Sequence, residues 1–379
     1  MEVYMDNSAT TRPYKEVINE MVNVMENYYG NPSSAYSLGL EAERKCNEAR
    51  NCIAKTINAS KEEIIFTSGG SESNNFLLKG FVRAGSHVIT TKMEHPSIIN
   101  TCAELEREGV NVTYLDVDDR GHVDLNQLEN AITKDTQVVS IMHANNEFGV
   151  VQDLERIGKI IKGKSSRAKF HVDAVQSYGK LLIDVNKFNI DLLSASGHKI
   201  HGPRGIGFAM VRKGLEPKAL INGGGQEGNY RSGTENLAGI CGMAKAANIM
   251  YSNREENYKK VNSIKAYFID KLRGIDDIRI NSQVSEDYIP HILNVSFGGV
   301  RAEVLLHLLE ENHIYVSNGS ACSARKNKMS YVLKSIGLTS KEIEGAVRFS
   351  FNENNSFEEV DYTIKKLNES LQMLRRIKK

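Results

Sequence analysis

Hydrophobic and polar positions follow two alternating patterns between residues 60 and 212. Short apolar, β-branched runs predict strands, and stretches with apolar residues three and four positions apart predict helices between them. The predicted strands are Ile64–Thr67, His87–Thr90, Val110–Leu115, Gln137–Met142, Lys169–Val172, Asp191–Ala195 and Ile206–Val211. The predicted helices include Ser71–Arg83, Ser97–Glu108 and Leu154–Ile161. This alternation is typical of an α/β fold with a mainly parallel sheet, in which ligands bind at the carboxyl ends of the strands.

The pattern changes after Glu235. Two longer helices extend to about Arg273, and a smaller mixed segment follows, with strands at His291–Phe297 and Val347–Phe351 around a helix at Arg301–Glu311. The last helix carries apolar residues at helical spacing, which we interpret as core. These residues are Phe357, Val360, Ile364, Leu367, Leu371 and Leu374.

Length and composition limit the number of domains and the kind of partner. A chain of 379 residues exceeds the size at which single cores usually stop growing. We therefore predict a large domain over residues 1–250 and a smaller C-terminal α+β domain over residues 251–379, with segment 1–12 packed on the smaller one. A net charge of +1 gives no global field for nucleic acid or an anionic membrane, so a small molecule is the expected partner. The N-terminus has no signal-peptide pattern and no stretch has membrane-spanning length, which predicts a cytoplasmic protein.

A lysine closes the run Ser194–Lys199, downstream of the strand-like run that contains Asp173. Pyridoxal phosphate (PLP) needs an amine to hold its aldehyde as a Schiff base, a carboxylate to keep its pyridine nitrogen protonated, and small polar groups for its phosphate. Lys199, Asp173 and Ser196 supply these three chemistries. Each residue alone is more typical of a strand end, a surface or a turn. Together they predict a PLP site.

Segment Thr67–Asn75 follows a predicted strand and opens a predicted helix. Backbone N–H groups at the start of a helix suit a phosphate, so Gly70 and Ser71 are candidate phosphate ligands. The segment is not a Walker A loop, because no Gly-Lys-Ser/Thr follows. The alternative interpretation is an ordinary serine-capped helix start.

Three polar residues near other strand ends are further candidates. His95 could lie on the face of the cofactor and exchange protons with substrate, although a histidine at a helix entry has the same sequence pattern. Asn146 ends another strand and could bond the phenolic oxygen of the cofactor. Gln176, one helical turn past Asp173, has the same potential.

Arg348 lies in a predicted strand and is flanked by apolar residues that would draw it out of water. A buried arginine needs an anion, and the α-carboxylate of an amino-acid substrate would suit its fork of N–H groups. An internal salt bridge to Asp or Glu is an equally good interpretation of the sequence.

The five cysteines are scattered without a CxxC pair, which argues against a disulfide framework and a zinc site. No metal site is predicted. Cys322 lies in a hydrophilic run of small residues and is closely followed by basic side chains, which favour the thiolate and predict a reactive cysteine. These basic residues are Arg325, Lys326 and Lys328. Other cysteines occur in helical patterns, where the residue is usually a small buried hydrophobe: Cys46, Cys52 and Cys102.

Across essentially its whole length the chain resembles cysteine desulfurases of the NifS-like branch of the class-V aminotransferases. The resemblance rests on Met5–Thr11, Gly30–Ser34, Thr67–Asn75, Glu94–Pro96, Asp173–Gln176, Ser196–Lys199, Arg231–Thr234, Gly319–Cys322 and Arg348. It implies a PLP-dependent transferase fold of type I and conversion of L-cysteine to L-alanine. It also implies that the sulfur passes to Cys322 as a persulfide, for delivery to an iron–sulfur scaffold, a tRNA-thiolation protein or a reductant.

The resemblance also implies a role for each site residue. Lys199 would be the Schiff-base lysine and proton shuttle, His95 the stacking acid/base, and Asp173 the partner of the pyridine nitrogen. The phosphate ligands would be Gly70, Ser71, Ser196, His198 and Thr234, the last reaching across a homodimer to the partner's site. Asn146 and Gln176 would bond the ring oxygen. The substrate would be held by Arg348, Asn31 and Asn146.

The loop after Cys322 departs from the family pattern, with more charges than expected. Because this loop would face the sulfur acceptor, we expect its basic face to meet an acidic partner, while an ordinary solvated surface is the alternative. Other PLP reactions on the same fold also remain open, namely those of an aminotransferase, a selenocysteine lyase or a kynureninase-like hydrolase. A non-catalytic scaffold is the alternative from another functional class.

Overall fold

The structure is a computed structural model that describes residues 1–319 and 329–377. Its strands are β1 (Val3–Tyr4), β2 (Ile64–Thr67), β3 (His87–Thr91), β4 (Asn111–Leu115), β5 (Thr136–Met142), β6 (Lys169–Asp173), β7 (Leu192–Ser196), β8 (Gly207–Val211), β9 (Ile278–Ile280), β10 (Ile292–Phe297), β11 (Ile314–Tyr315) and β12 (Ala346–Ser350). Its helices are α1 (Lys15–Asn27), α2 (Ser37–Thr56), α3 (Gly70–Lys79), α4 (Pro96–Arg107), α5 (Leu125–Ala131), α6 (Leu154–Lys164), α7 (Leu237–Ser252), α8 (Arg254–Leu272), α9 (Ala302–Glu310), α10 (Tyr331–Ser335), α11 (Ser340–Glu344) and α12 (Phe357–Ile377).

Seven strands form the central sheet in the order β2-β8-β7-β6-β5-β3-β4. Neighbouring strands from β7 to β4 are parallel, and β8 runs antiparallel to both of its neighbours. Most of these strands are buried on both faces, as expected of a parallel sheet covered by helices. Each predicted strand agrees with an observed strand to within one residue at either end. The predicted α/β fold with a mainly parallel sheet is confirmed.

Two hydrophobic clusters lie at different positions along the chain. The first contains the inner face of the central sheet with α1, α2, α6 and α7. The second contains α8, α9 and α12 with β10 and β12, and Val3 and Met5 from the N-terminus belong to it. Strand β1 pairs in parallel with β11, so the first residues of the chain form part of the second cluster's edge. The division at residue 250 stays a prediction.

Helix α12 largely shows the apolar stripe that its sequence predicts. Val360, Ile364, Leu367 and Leu371 are buried in the second cluster. Phe357, by contrast, is 46% exposed and packs edge-on against Tyr267, so the first position of the stripe lies at the surface. None of the described helices combines the length and the apolar character needed to cross a bilayer.

Candidate active site

A cavity of about 260 Å³ opens beside the carboxyl ends of β5, β6 and β7. This is the edge where ligands of open α/β sheets bind. Its walls include many of the residues singled out in the sequence: Gly70, Ser71, His95, Asn146, Asp173, Gln176, Ser196, His198, Lys199 and Arg348. Residues from α3, the start of α4, the ends of three strands and the strand β12 therefore meet around one space.

Lys199 follows β7 in a short turn of 3₁₀ helix and reaches the cavity. Its Nζ donates to the backbone carbonyls of Ser8 and Ala9, at 2.5 and 2.7 Å. These carbonyls belong to the N-terminal run Met5–Thr11, for which the sequence suggested no individual role. They hold the amine in a fixed position at the wall of the cavity.

Asp173 is the last residue of β6 and is buried. Its Oδ1 accepts from the backbone N–H of Val175 at 3.0 Å, and its Oδ2 accepts from Asn74 Nδ2 at 2.8 Å. The arrangement provides an oriented anion that can pair with a protonated ring nitrogen.

His95 occupies the N-cap of α4, and its Nδ1 accepts from the backbone N–H of Ser97 at 3.1 Å. Because an N–H can only donate, the neutral ring carries its proton on Nε2. Burial lowers the pKa of His95; Lys199 lowers it further, while Asp173 raises it. The helix-entry interpretation is therefore confirmed, and the same side chain lines the cavity, while its role toward a cofactor stays a prediction.

The glycines at the start of α3 pack closely against neighbouring residues. Gly69 has φ +152°, and a Cβ on Gly70 would lie 2.5 Å from Val175 Cγ2. Gly69 also occupies the cap position, so the alternative of a serine-capped helix is wrong: Ser71 lies inside the first turn. The start of α3 therefore leaves its backbone N–H groups available for an anion.

Ser196 and His198 line the same cavity as this helix start. A Cβ on Gly69 would be 3.6 Å from Ser196 Oγ, so the hydroxyl lies beside the loop. Burial, with the charges of Lys199, Arg204 and Lys180, lowers the pKa of His198 to about 4. Its neutral ring can donate one N–H to a phosphate.

Arg348 is only 2% exposed and makes an ion pair inside the protein. Its guanidinium donates to Asp6 Oδ1 at 2.8 Å and to the backbone carbonyl of Asn146 at 2.8 Å. Its Nε is buried without a hydrogen-bond partner among the described residues. The internal salt bridge that the sequence left open is present, and the same side chain still lines the cavity.

The polar wall of the cavity fits PLP. Lysine, carboxylate and anion-binding groups come together, as this cofactor requires. Within the described residues, several buried polar atoms around the cavity also lack a hydrogen-bond partner: Ser8 Oγ, Gln176 Oε1 and Arg348 Nε. Buried polar groups are normally bonded, so these atoms indicate a polar ligand.

Three of the predicted site residues are not among the described walls of this cavity. Cys322 lies outside the described residues. Thr234 and Asn31 are exposed, and Asn31 Oδ1 accepts from the backbone N–H of Ser33 at 2.9 Å. The run that precedes Thr234 is tied to α3 through an ion pair, in which Arg231 Nε lies 2.9 Å from Glu72 Oε1.

Sequence reasoning missed other residues of the wall, notably Ser8, Ala9, Asn74 and Ser97. Asn74 and Ser97 were not distinguished in the sequence. Each lies within one helical turn of a residue that was already a candidate for the site. The N-terminal motif offered a signal for Ser8 and Ala9, but it did not indicate that their backbone carbonyls contribute. Within the described chain, no cluster of His, Cys, Asp and Glu is arranged for a metal ion.

Comparison with known proteins identifies the family. The model of the family described as "Aminotransferase class-V" matches residues 3–363. A protein named "Cysteine desulfurase IscS" from Clostridium botulinum is 42% identical over 372 residues, which cover 97% of this chain and 93% of that protein. A protein of the same name from Methanosarcina thermophila is 42% identical over 377 residues, covering 98% and 93%.

A solved structure titled "NIFS-LIKE PROTEIN" superposes with a TM-score of 0.93 at 39% identity, covering 98% of this chain and all of that one. The sequence similarity and the superposition both extend over nearly the whole chain, so they concern its complete architecture rather than one motif. They confirm the resemblance found in the sequence and the PLP fold of type I. The chain belongs to the class-V aminotransferase family, among its NifS-like cysteine desulfurases.

Proposed function

We propose that this protein is a PLP-dependent cysteine desulfurase, which converts L-cysteine to L-alanine and transfers the sulfur to Cys322. The observation that carries the proposal is the common cavity of Lys199, Asp173, His95 and Arg348, in a chain whose relatives are named cysteine desulfurases. Bound there, PLP supplies an electron sink for negative charge at the substrate carbon that bears the amine. The remaining work falls to side chains of the protein.

Lys199 Nζ holds the cofactor and then removes the proton from the substrate Cα. Two backbone carbonyls already orient the amine, which reduces the freedom it must lose before it reacts. Asp173 would keep the nitrogen of a bound ring protonated, and His95 would offer its Nε2 proton from the wall of the cavity. Asn146 and Gln176 bond the ring oxygen. These roles are part of the proposal, and the burial and hydrogen bonds of the site support them.

The phosphate is held by Gly70, Ser71, Ser196 and His198. The backbone N–H groups at the start of α3 and its positive helix end favour an anion, and a neutral His198 adds a donor. We propose that Thr234 completes this site in the partner subunit of a homodimer. Its exposure at the surface supports that role, because a residue that serves a neighbour cannot be buried in its own chain.

The substrate carboxylate is bound by Arg348, and we propose a supporting role for Asn31. Burial strengthens the interaction of the guanidinium with a carboxylate, because little water competes for it. Asp6 holds the guanidinium in position, while the buried Nε has no acceptor among the described residues. The amino-acid end of L-cysteine would therefore be recognised by a fixed donor and not by a mobile surface charge.

Arg348→Lys is expected to raise the KM for L-cysteine by roughly tenfold to a hundredfold, because an ammonium group cannot reproduce the fork of donors. The kcat should change less, since the arginine acts on binding rather than on the reacting bond. The matched control is Arg279→Lys on β9, where the guanidinium pairs with Glu342 on the exposed surface. Equal kcat/KM in wild type and Arg348→Lys would remove Arg348 from the substrate site.

Sulfur transfer is proposed for Cys322 on chemical grounds. Burial raises the pKa of Cys46 to about 11 and those of Cys102 and Cys241 to about 12, and it also raises the pKa of Cys52. These four thiols are thus poor sources of thiolate near neutral pH. In the proposed step the Cys322 thiolate attacks the substrate sulfur, the bond from Cβ to sulfur breaks, and its electron pair stays on Cβ. Protonation of Cβ gives alanine, and the persulfide remains on Cys322.

We propose that the protein acts as a homodimer in the cytoplasm and passes its sulfur to an acceptor protein. One face of α1 exposes Ile18, Val22 and Met25, the last at 65%, and Tyr29 just beyond the helix is 73% exposed. Positions three and four apart form one surface, and an apolar surface of this kind is typical of an interface. The identity of the acceptor, whether an iron–sulfur scaffold or a tRNA-thiolation protein, stays a prediction.

Mixing Thr234→Ala subunits with Lys199→Ala subunits tests the shared site. If Thr234 serves the partner's phosphate, each mixed dimer holds one site with both residues intact. An equal mixture with random pairing should then recover roughly a quarter of wild-type activity, well above either variant alone.

Val22→Glu on the exposed face of α1 should shift sedimentation toward the monomer. Full activity in a monomer would contradict the shared site.

A further inference from the structure

Asn74 lies on the fifth position of α3, is 1% exposed, and borders the cavity. All of its polar atoms have partners. Its Nδ2 donates to Asp173 Oδ2 at 2.8 Å and to Ser97 Oγ at 2.8 Å, and its Oδ1 accepts from Ser194 Oγ at 2.5 Å. One amide thus connects residues from β6, β7 and α4 to α3.

The chemistry of these partners determines the orientation of the amide. An ionised carboxylate only accepts hydrogen bonds, so the nitrogen of Asn74 faces Asp173 and the oxygen remains for Ser194. Asp173 and Ser194 are paired residues on neighbouring strands, which keeps both partners at a fixed spacing. An amide N–H does not take up a proton under physiological conditions. Asn74 therefore fixes the position of the Asp173 carboxylate without becoming a rival site for a proton.

The second N–H of Asn74 is connected to His95 through the hydroxyl of Ser97. Ser97 Oγ accepts from Asn74 and lies 2.8 Å from His95 Nδ1, which also accepts from the Ser97 backbone N–H. Because Nδ1 carries no hydrogen, the serine hydroxyl donates its own hydrogen to Nδ1 while it accepts from Asn74. The ring is thereby held with its proton on Nε2 and with a fixed rotation.

We propose that Asn74 is a positioning residue that holds the carboxylate of Asp173 and the ring of His95 in a fixed relation through its two amide N–H groups. The inference rests on the proposed function, which gives these two residues their roles toward PLP. Asn74 itself need not touch the reacting atoms. Its effect passes through Asp173, because a carboxylate that loses this donor is free to turn, and a turned carboxylate pairs less well with a protonated ring nitrogen.

The test compares Asn74→Leu with Asn75→Leu, both reconstituted with PLP labelled with ¹⁵N at its ring nitrogen. Asn75 is a matched control, because it lies on the same helix and bonds Thr101 of α4 at 3.0 Å, as Asn74 bonds Ser97. The nitrogen resonance reports directly whether the ring is protonated. We expect the wild type and Asn75→Leu to show a protonated ring and Asn74→Leu to show a largely unprotonated one.

Activity supplies the second measurement. The kcat of Asn74→Leu should fall on the order of tenfold or more, the scale of a lost hydrogen bond to a charged group, while the KM for L-cysteine stays near its wild-type value. Ser97→Ala should leave the nitrogen resonance unchanged and shift the pH profile of kcat, because it cuts only the His95 branch. Its effect and that of Asn74→Leu on kcat should not add, since both act on one network.

If Asn74→Leu fails to fold, Ser194→Ala tests the inference in its place. It retains Asn74 but removes the hydrogen bond to Oδ1, so the amide is free to turn away from Asp173. It should move the resonance in the same direction by a smaller amount. A fully protonated ring nitrogen in Asn74→Leu, or in Ser194→Ala where the first variant is unfolded, overturns the inference. A protonated ring in Asp173→Asn, or a wild type that binds no PLP, contradicts the proposed function instead, so the two failures are distinguishable.

Discussion

Lys199→Ala is expected to lower kcat by roughly a thousandfold, within the range by which a positioned proton-transfer group accelerates a reaction. The variant should still bind PLP, because the proposed phosphate ligands at the start of α3, Ser196 and His198 are unchanged. After borohydride treatment, mass spectrometry should find the cofactor attached to Lys199 in the wild type and to no lysine in the variant.

Locating the attached cofactor by mass spectrometry distinguishes Lys199 from two other lysines with lowered pKa values. Burial lowers the pKa of Lys180 to about 8 and that of Lys265 to about 7, and a lowered pKa is what makes a lysine amine nucleophilic near neutral pH. Neither lysine is in the wall of the cavity. Attachment to Lys180 or Lys265 in wild-type protein, or normal turnover by Lys199→Ala, would show that the site has been assigned to the wrong amine.

Cys322→Ser should abolish persulfide formation and lower the rate of alanine production by roughly a thousandfold or more, as expected when a nucleophile is removed. A serine hydroxyl is not ionised near neutral pH and cannot hold sulfane sulfur. The visible absorption of bound PLP and its change on adding L-cysteine should remain, because Lys199, Asp173 and the phosphate site are intact. Spectra and alanine release measured on the same sample separate these two effects.

Cys52→Ser is the control for this variant. Cys52 is the most exposed of the four described cysteines, and its Sγ lies 3.7 Å from the carbonyl of Ala244. Its replacement should leave persulfide and alanine formation at wild-type levels. Undiminished sulfide and alanine production by Cys322→Ser would contradict the assignment of the sulfur carrier.

The sequence predicts the central sheet well for a physical reason. Most of its strands are short, buried on both faces and separated by amphipathic helices, so the two periodicities are easily distinguished. The same order explains why Asp173, Ser196 and Lys199 could be found: they follow strands whose carboxyl ends must lie along one edge. The antiparallel direction of β8 does not follow from the pattern, because a buried strand has the same composition in either direction.

Contacts between distant segments could not be predicted. Arg348 needed an anion, but nothing local to β12 indicates that Asp6, 342 residues away, supplies it. The role of the Ser8 and Ala9 carbonyls could not be predicted either, because every residue has a backbone carbonyl, whatever its side chain. The network of Asn74 depends on the spacing between α3, α4 and two strands, and an asparagine in the first turns of a helix is otherwise unremarkable in sequence.

The helix start at α3 illustrates a local error with a structural cause. Serines near the beginning of the helix suggested a serine cap, yet Gly69 occupies the cap position with φ +152°. A Cβ on Gly207 would lie 2.6 Å from Gly69 Cα, so β8 and the loop approach each other too closely for larger residues. The need for this approach, and not helix capping, determines the sequence of the loop.

The most direct test of the central claim is a single turnover of wild-type protein with L-cysteine in the absence of reductant. We expect alanine and persulfide to form in equal amounts, up to one of each per subunit. Peptide mass spectrometry should find the added sulfur on Cys322. Alanine without persulfide on Cys322, or pyruvate and free sulfide in place of alanine, would contradict the account.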